Sequence, residues 1–178
     1  MLKIVYLEEP ELKEPIMVEG LPGIGNIGRI AASYLVEKLK AKKFAELYSS
    51  EFFPSVVLQK DGIARLLRIE FYYYKREKND LIIVVGDTQA STPEGYYELS
   101  EAILDVAMKY NTKLIITLGG LAREELTGKS RVVGAVNKES LLERFKNYDI
   151  IFDGNLVGTI VGISGVLIGL AGIKGIEA

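Results

Sequence analysis

The sequence predicts an α/β fold with a mostly parallel, mixed sheet flanked by helices, and three observations carry that prediction. Two uninterrupted apolar runs, DLIIVVGD (80–87) and KLIITLGG (113–120), have the pattern of strands buried on both faces of a parallel sheet. Strand patterns alternate with helix patterns along the chain, the order that builds such sheets. Residues 55–75 add a hairpin, SVVLQ and IARLLRIEFYYYK about the turn KDG, which makes the sheet mixed.

The elements follow in order. Leu2–Leu7 and Ile16–Glu19 read as strands. A helix from about Asn26 to Lys40 places Ile27, Ile30, Ala31, Tyr34, Leu35 and Leu39 on one apolar face. Phe44–Tyr48 is a short strand, followed by the hairpin and the strand at 80–87. Ser91 and Glu94 have capping-box spacing and Pro93 suits a first turn, so Pro93–Tyr110 is a helix. After the strand at 113–120 come the strand RVVGAV, a helix Lys138–Phe145 capped by Asn137, and a strand in DIIFDG. Residues 154–173 carry no charge, and Gly158, Gly162, Gly165, Gly169 and Gly172 form a small-residue stripe at steps of four and three. That length approaches a bilayer span, but the segment has no orienting cationic flank and follows a series of buried strands. It reads as a buried helix lying close on the sheet or on a neighbouring subunit.

Composition narrows the function. At 178 residues the chain is the size of one domain, 1–178, with no internal repeat or linker. It is 48% apolar and 26% charged, which excludes disorder. The net charge of −2, with both signs interspersed, argues against a nucleic-acid partner, and the basic run LKAKK (39–43) reads as a solvated helix end. Absence of cysteine removes disulfides and thiolate metal sites; absence of histidine removes the commonest general base and the commonest metal ligand. No secretory pattern opens the chain, so cytoplasm is the expected location. The shortage of Cys, Trp and Gln beside abundant Lys, Glu and Ile is the bias of a heat-adapted organism.

Three loops could carry chemistry. In IMVEGLPGIGNIG (16–28), Gly23, Gly25 and Gly28 fit G-x-G-x-x-G between a strand and a helix, with Glu46 and Glu51 near the distance of a ribose-binding acid. Yet Gly20-Leu21-Pro22 lengthens and stiffens the turn, and Phe44–Tyr48 ends on Ser49 and Ser50 rather than an acid. The favoured reading is glycine for tight turning and close helix–sheet packing, with no dinucleotide. TGKS (127–130) ends like a P-loop, but Arg123 stands where that motif needs glycine and a strand follows, so it is rejected. GDTQASTPEG (86–95) leaves the carboxyl end of a central strand, the edge where open α/β sheets bind ligands. With GLPGIGN and LGGL (118–121) at the same edge, Gly23, Gly25, Asn26, Asp87, Thr88 and Gln89 form a candidate cleft for a ligand or partner. The alternative is that these side chains bond to loop backbone and Ser91 or Thr92 only caps the helix. No nucleophile–base relay is evident, and neither cofactor nor metal is expected. The aromatic row Phe71-Tyr72-Tyr73-Tyr74, with Phe52 and Phe53 nearby, reads either as strand packing or, through Tyr72, Tyr73 and Tyr74, as a contact between subunits.

Taken together in order and spacing, VEGLPGIGNIG, FYYYK, VVGDTQASTPEGYYELSEAILD, LIITLGGL, VVGAVNKESLL and VGISGVLIGLA resemble the proteasome assembly chaperone family in its archaeal and actinobacterial branch. The similarity runs from about residue 14 to the end; Gly-Leu-Pro-Gly-Ile-Gly-Asn and Gly-Asp-Thr-Gln are its most specific parts. The resemblance implies a fold like that of the nucleoside phosphorylase/hydrolase group, homo-oligomers and no catalysis. It also implies proteasome subunits, α-type first, or the assembled core particle as partners. The alternative class is a small-molecule or nucleotide-binding protein, including a phosphorylase-like enzyme, that uses the Asn26, Asp87 and Gln89 edge. Members of the family continue past GIKGIEA with another strand and a docking tail. After the helix stop at Lys174-Gly175, Ile176 should enter a strand, so this chain is expected to be a shortened form lacking that strand and tail.

Overall fold

The computed structural model describes residues 1–122 and 131–178. Its strands are β1 (Leu2–Tyr6), β2 (Ile16–Gly20), β3 (Lys42–Ser49), β4 (Val56–Leu58), β5 (Ala64–Leu66), β6 (Ile69–Tyr74), β7 (Leu81–Gly86), β8 (Leu114–Thr117), β9 (Val132–Val133) and β10 (Ile150–Ile151). The helices are α1 (Ile27–Leu39, preceded by a 3-10 turn at Ile24–Asn26), α2 (Pro93–Lys109), α3 (Glu139–Phe145), α4 (Gly154–Val157) and α5 (Ile163–Ile173). The TGKS segment lies outside the described residues.

Six strands form one mixed sheet in the order β1-β3-β6-β7-β2-β8. Within this sheet only β7-β2-β8 is parallel, and β1-β3, β3-β6 and β6-β7 are antiparallel; β9 and β10 form a separate parallel pair. Parallel pairs are therefore the minority. The short connection at 75–80 permits only an antiparallel return from β6 to β7, since a parallel crossover needs a dozen residues or more. The hairpin also divides: β4 and β5 pair alone, and the chain continues beyond Leu66 into β6 of the main sheet.

The main core fills the space between one face of the sheet and α2 with α5. Met17, Phe44, Ile69, Phe71, Ile82 and Val84 come from the strands and meet Leu99, Ile103 and Val106 of α2 and Ile163 and Leu167 of α5. Alternation along β7 then sends Ile83 and Val85 to the opposite face, where they meet Ala32 of α1.

Two expectations about helices are corrected. On α1 the residues against the sheet are Gly28 and Ala32, with Leu35, Val36 and Leu39 half-buried. Ile27, Ile30 and Tyr34, which the periodicity groups as an apolar face, point outward. The cause is proximity: a Cβ on Gly20 of β2 would collide with the Gly28 carbonyl oxygen, and one on Gly28 would collide with that of Leu118. Only a ridge of small residues fits so close to the strands, which turns the large side chains away. Residues 154–173, secondly, are not one helix. Gly158 (φ 66°) and Gly162 (φ 95°) adopt backbone conformations that break it into α4 and α5. Among the described residues, no helix is long and apolar enough to cross a membrane.

Caps differ as well. Thr92, not Ser91, caps α2, its hydroxyl accepting from the Gly95 N–H at 3.0 Å. Asn137 does not cap α3, which begins after Lys138 without a side-chain cap. Its amide instead donates to the carbonyls of Ile176 (2.9 Å) and Ile168 (3.3 Å) and accepts from the Ala178 N–H (3.0 Å). That holds the last residues against β8, where Glu177 bridges to Leu114 in parallel and accepts from the Ile115 N–H at 2.8 Å. Strand pairing beyond Ile176 is thus present as a single bridge.

Candidate functional site at the carboxyl edge of the sheet

Because β7, β2 and β8 are parallel neighbours, the loops that leave them share one edge. Gln89 joins two of its segments. Its amide N–H donates to the Pro22 carbonyl, and its Oε1 accepts from the N–H of Ile163 at 2.9 Å, at the start of α5. Thr88 donates to the Gln89 carbonyl at 3.0 Å. Gly23 lies beside the Gln89 amide, while Gly25 (φ 62°) and Asn26 (φ 53°) make a left-handed turn into α1 and are exposed. The Asn26 side chain makes no capping bond. Gly120 closes on the same turn, because a Cβ there would strike the Ile24 carbonyl oxygen. Gly20 and Gly120 therefore let backbone meet backbone, whereas Gly86 and Gly95 of the third loop lie closest to side chains.

Asp87 turns the other way, toward the hairpin. Its carboxylate accepts from the two terminal guanidinium nitrogens of Arg65, at 2.5 and 2.9 Å, and from the Arg68 N–H at 3.1 Å. Burial alone would raise its pKa, but Arg65 and the Arg68 N–H outweigh burial and hold the carboxyl below its ordinary value. Arg68 continues a charge network across β6 and β3: its guanidinium meets Glu70 at 2.7 Å and Glu46 at 3.0 Å. Lys43 meets Glu46 at 2.6 Å and Glu70 at 3.0 Å. Tyr48 donates to Glu46 at 2.7 Å and Tyr72 to Glu70 at 3.0 Å. Glu46 is therefore occupied by two cations, and Glu51 by the Thr92 hydroxyl. Both acids thus already have partners within the chain.

Glu19 escaped notice in the sequence. It ends a strand that reads as wholly structural, yet it is a carboxyl with no exposed surface, beneath the edge. Oε1 accepts from the Leu21 N–H and Oε2 from the Ser164 hydroxyl, both at 2.9 Å. Burial pushes its pKa up to about 7 against these two bonds. The pair ties the end of β2 to the first turn of α5; it joins a hydroxyl to a carboxylate, but under cover. The only signal was an acid inside an apolar strand, IMVEG.

Tyr72, Tyr73 and Tyr74 are all half-buried. Tyr72 packs by Ile83 and Val85, while Tyr73 lies edge-on to Phe44 at 6.1 Å. Among the described residues, no group of acids is arranged to hold a metal ion.

The PAC2 family pattern matches residues 17–178. Two uncharacterized proteins of Methanocaldococcus jannaschii are similar over most of the chain. MJ1210 is 39% identical over 182 residues, covering 99% of this chain and 69% of its own length. MJ0106 is 34% identical over 162 residues, covering 90% and 63%. The chain thus spans about two thirds of these curated relatives. Among solved structures, Pyrococcus furiosus PbaB, described as an archaeal proteasome activator, superposes with a TM-score of 0.94 at 40% identity, over 99% of this chain and 77% of that one. Pyrococcus furiosus PbaA, described as an archaeal homolog of proteasome-assembly chaperone, superposes with a TM-score of 0.78 at 26% identity, over 99% and 73%. These matches indicate no catalytic family.

Proposed function

The chain belongs to the PAC2 family, and from that membership we propose that it is a cytoplasmic homo-oligomer that binds proteasome α-type subunits or the assembled core particle. The observation that carries this reading is the likeness to PbaB, which extends over nearly the whole chain at 40% identity. The lower identity to the chaperone homolog PbaA, 26%, favours action on the assembled particle over action on free subunits. Exposed apolar side chains add support. Val56, Leu58, Ile63 and Leu66 of the hairpin are each more than half exposed, and small separate hairpins of this kind suit contact with another protein better than catalysis.

The carboxyl edge fits a structural role within this function. Gln89 and Asp87 spend their hydrogen bonds on the chain's own loops, and the glycines bring backbones together. A pull-down from native lysate with the tagged chain, read by mass spectrometry, tests the proposal. Proteasome α-subunits should head the captured proteins. Capture of none, together with a nucleotide or other small molecule co-purifying at one per chain, would replace it with a ligand-binding function at the edge.

A further inference from the structure

Two side chains cross the carboxyl edge in parallel. Glu19 accepts from the Leu21 N–H and from the Ser164 hydroxyl, both at 2.9 Å. Gln89 donates to the Pro22 carbonyl and accepts from the Ile163 N–H at 2.9 Å. Consecutive residues of the glycine turn, 21 and 22, are thereby joined to consecutive residues at the start of α5, 163 and 164. On the α5 side the bridges follow Gly158 (φ 66°) and Gly162 (φ 95°), and on the other side they precede Gly25 (φ 62°). A Cβ on Gly162 would strike Oε1 of Gln89, so that turn lies directly on its bridge. Both bridged segments thus adjoin glycine turns, where a chain hinges without unravelling a strand or helix.

Only one of the two bridges titrates. Gln89 is an amide, whereas Glu19 is a carboxyl with no exposed surface and, among the described residues, no cationic partner. The charged groups on the elements around it are engaged elsewhere. Asp87, after β7, is held by Arg65, and Asp80, before β7, by the N–H groups of Lys13 and Arg76. Lys113, before β8, meets Glu14, and Lys174, after α5, meets Glu101 of α2. Arg29 of α1 bears on Asp87, and Lys109 of α2 meets Glu9. The other acids and tyrosines of α2, Glu94, Tyr96, Tyr97, Glu98 and Asp105, form no bond to Glu19. An ionised Glu19 therefore has two hydrogen bonds and no countercharge to replace water, and opening at the glycine turns restores its solvation.

We propose that Glu19 is a proton-controlled latch on the carboxyl edge. Protonated, it holds the glycine turn against the start of α5; ionised, it loosens both, together with the exposed Ile24 and Val161 that flank them. In the protonated state its O–H donates to the Ser164 oxygen, reversing that bond. Burial sets the change near pH 7. Gln89 bridges the same segments in either state, which keeps the opening local rather than global.

Amide hydrogen exchange on the full chain tests the latch, corrected for the intrinsic effect of pH and read on peptides covering 20–26 and 158–165. Opening that returns Glu19 to its ordinary 4.5 should become about tenfold more frequent between pH 6 and 8, then level off. Peptides from the middle of α2 should not follow. Glu19→Gln imitates the protonated acid, its carbonyl facing the Leu21 N–H and its amide donating to Ser164, and should abolish the rise. Gln89→Leu should speed exchange in both segments at every pH and leave the tenfold rise in place. If Glu19→Gln fails to fold, the wild-type comparison decides. A rise of equal size in α2 marks global unfolding and overturns the latch. Absence of a rise in the two segments, or a rise that persists in folded Glu19→Gln, overturns it as well.

Discussion

The Ser164 hydroxyl donates to Glu19 at 2.9 Å inside the protein, joining the first turn of α5 to the end of β2 across 145 residues of sequence. Glu19 has no exposed surface, and burial raises its carboxyl from an ordinary 4.5 to about 7. Between those two values the folded chain holds a proton that the unfolded chain has released. Stability therefore falls as pH rises through this window and levels off above about 7. A shift of this size corresponds to about 3 kcal/mol. Glu19→Gln keeps an acceptor for one neighbour and removes the titration. Urea unfolding of the wild type should lose stability from pH 4.5 to 7.5, and Glu19→Gln should show a flatter profile and gain on the wild type at pH 8. Parallel profiles would mean that Glu19 titrates normally.

Asp87 follows the opposite rule. Its carboxyl is held below its ordinary value, so its contribution is present at neutral pH and is lost as pH falls through the depressed value. The two-nitrogen contact with Arg65 anchors the β4–β5 hairpin to the end of β7. Asp87→Asn and Arg65→Ala should each destabilise by about 1–2 kcal/mol and should be non-additive in a double-mutant cycle. Additive losses would show that the pair does not hold the hairpin.

Neighbouring glycines give a sharp contrast. A Cβ on Gly28 would strike the Leu118 carbonyl oxygen, whereas one on Gly119 meets open space. Gly28→Ala should cost about 1–3 kcal/mol through forced separation of α1 from the sheet, and Gly119→Ala should stay within about 0.5 kcal/mol. Equal effects in thermal unfolding would contradict the close packing of α1.

These residues also show what the sequence could and could not reveal. Apolar runs such as LIIVV place β7 in the middle of a sheet because burial on both faces needs no polar alternation. Glycine for close helix–sheet packing was legible in the loop that leads into α1, and Gly20 and Gly28 meet backbone. Orientation of α1 was not legible: periodicity finds an apolar row but not which side faces the sheet, and the contact of Gly20 with Gly28 decides it. Glu19 was hidden for a related reason, because its partner Ser164 is distant in sequence. Nor could spacing tell that Asn137 reaches Ile176 and Ala178 rather than capping α3.

Direct binding to the proteasome tests the central claim most closely. The purified full chain, mixed with an archaeal 20S core particle at micromolar concentration, is sedimented through a gradient beside the chain alone. The account predicts that the chain moves into the core-particle fractions in saturable amount. A chain that stays at the top of the gradient, with free α-subunits also failing to shift it, would contradict the account.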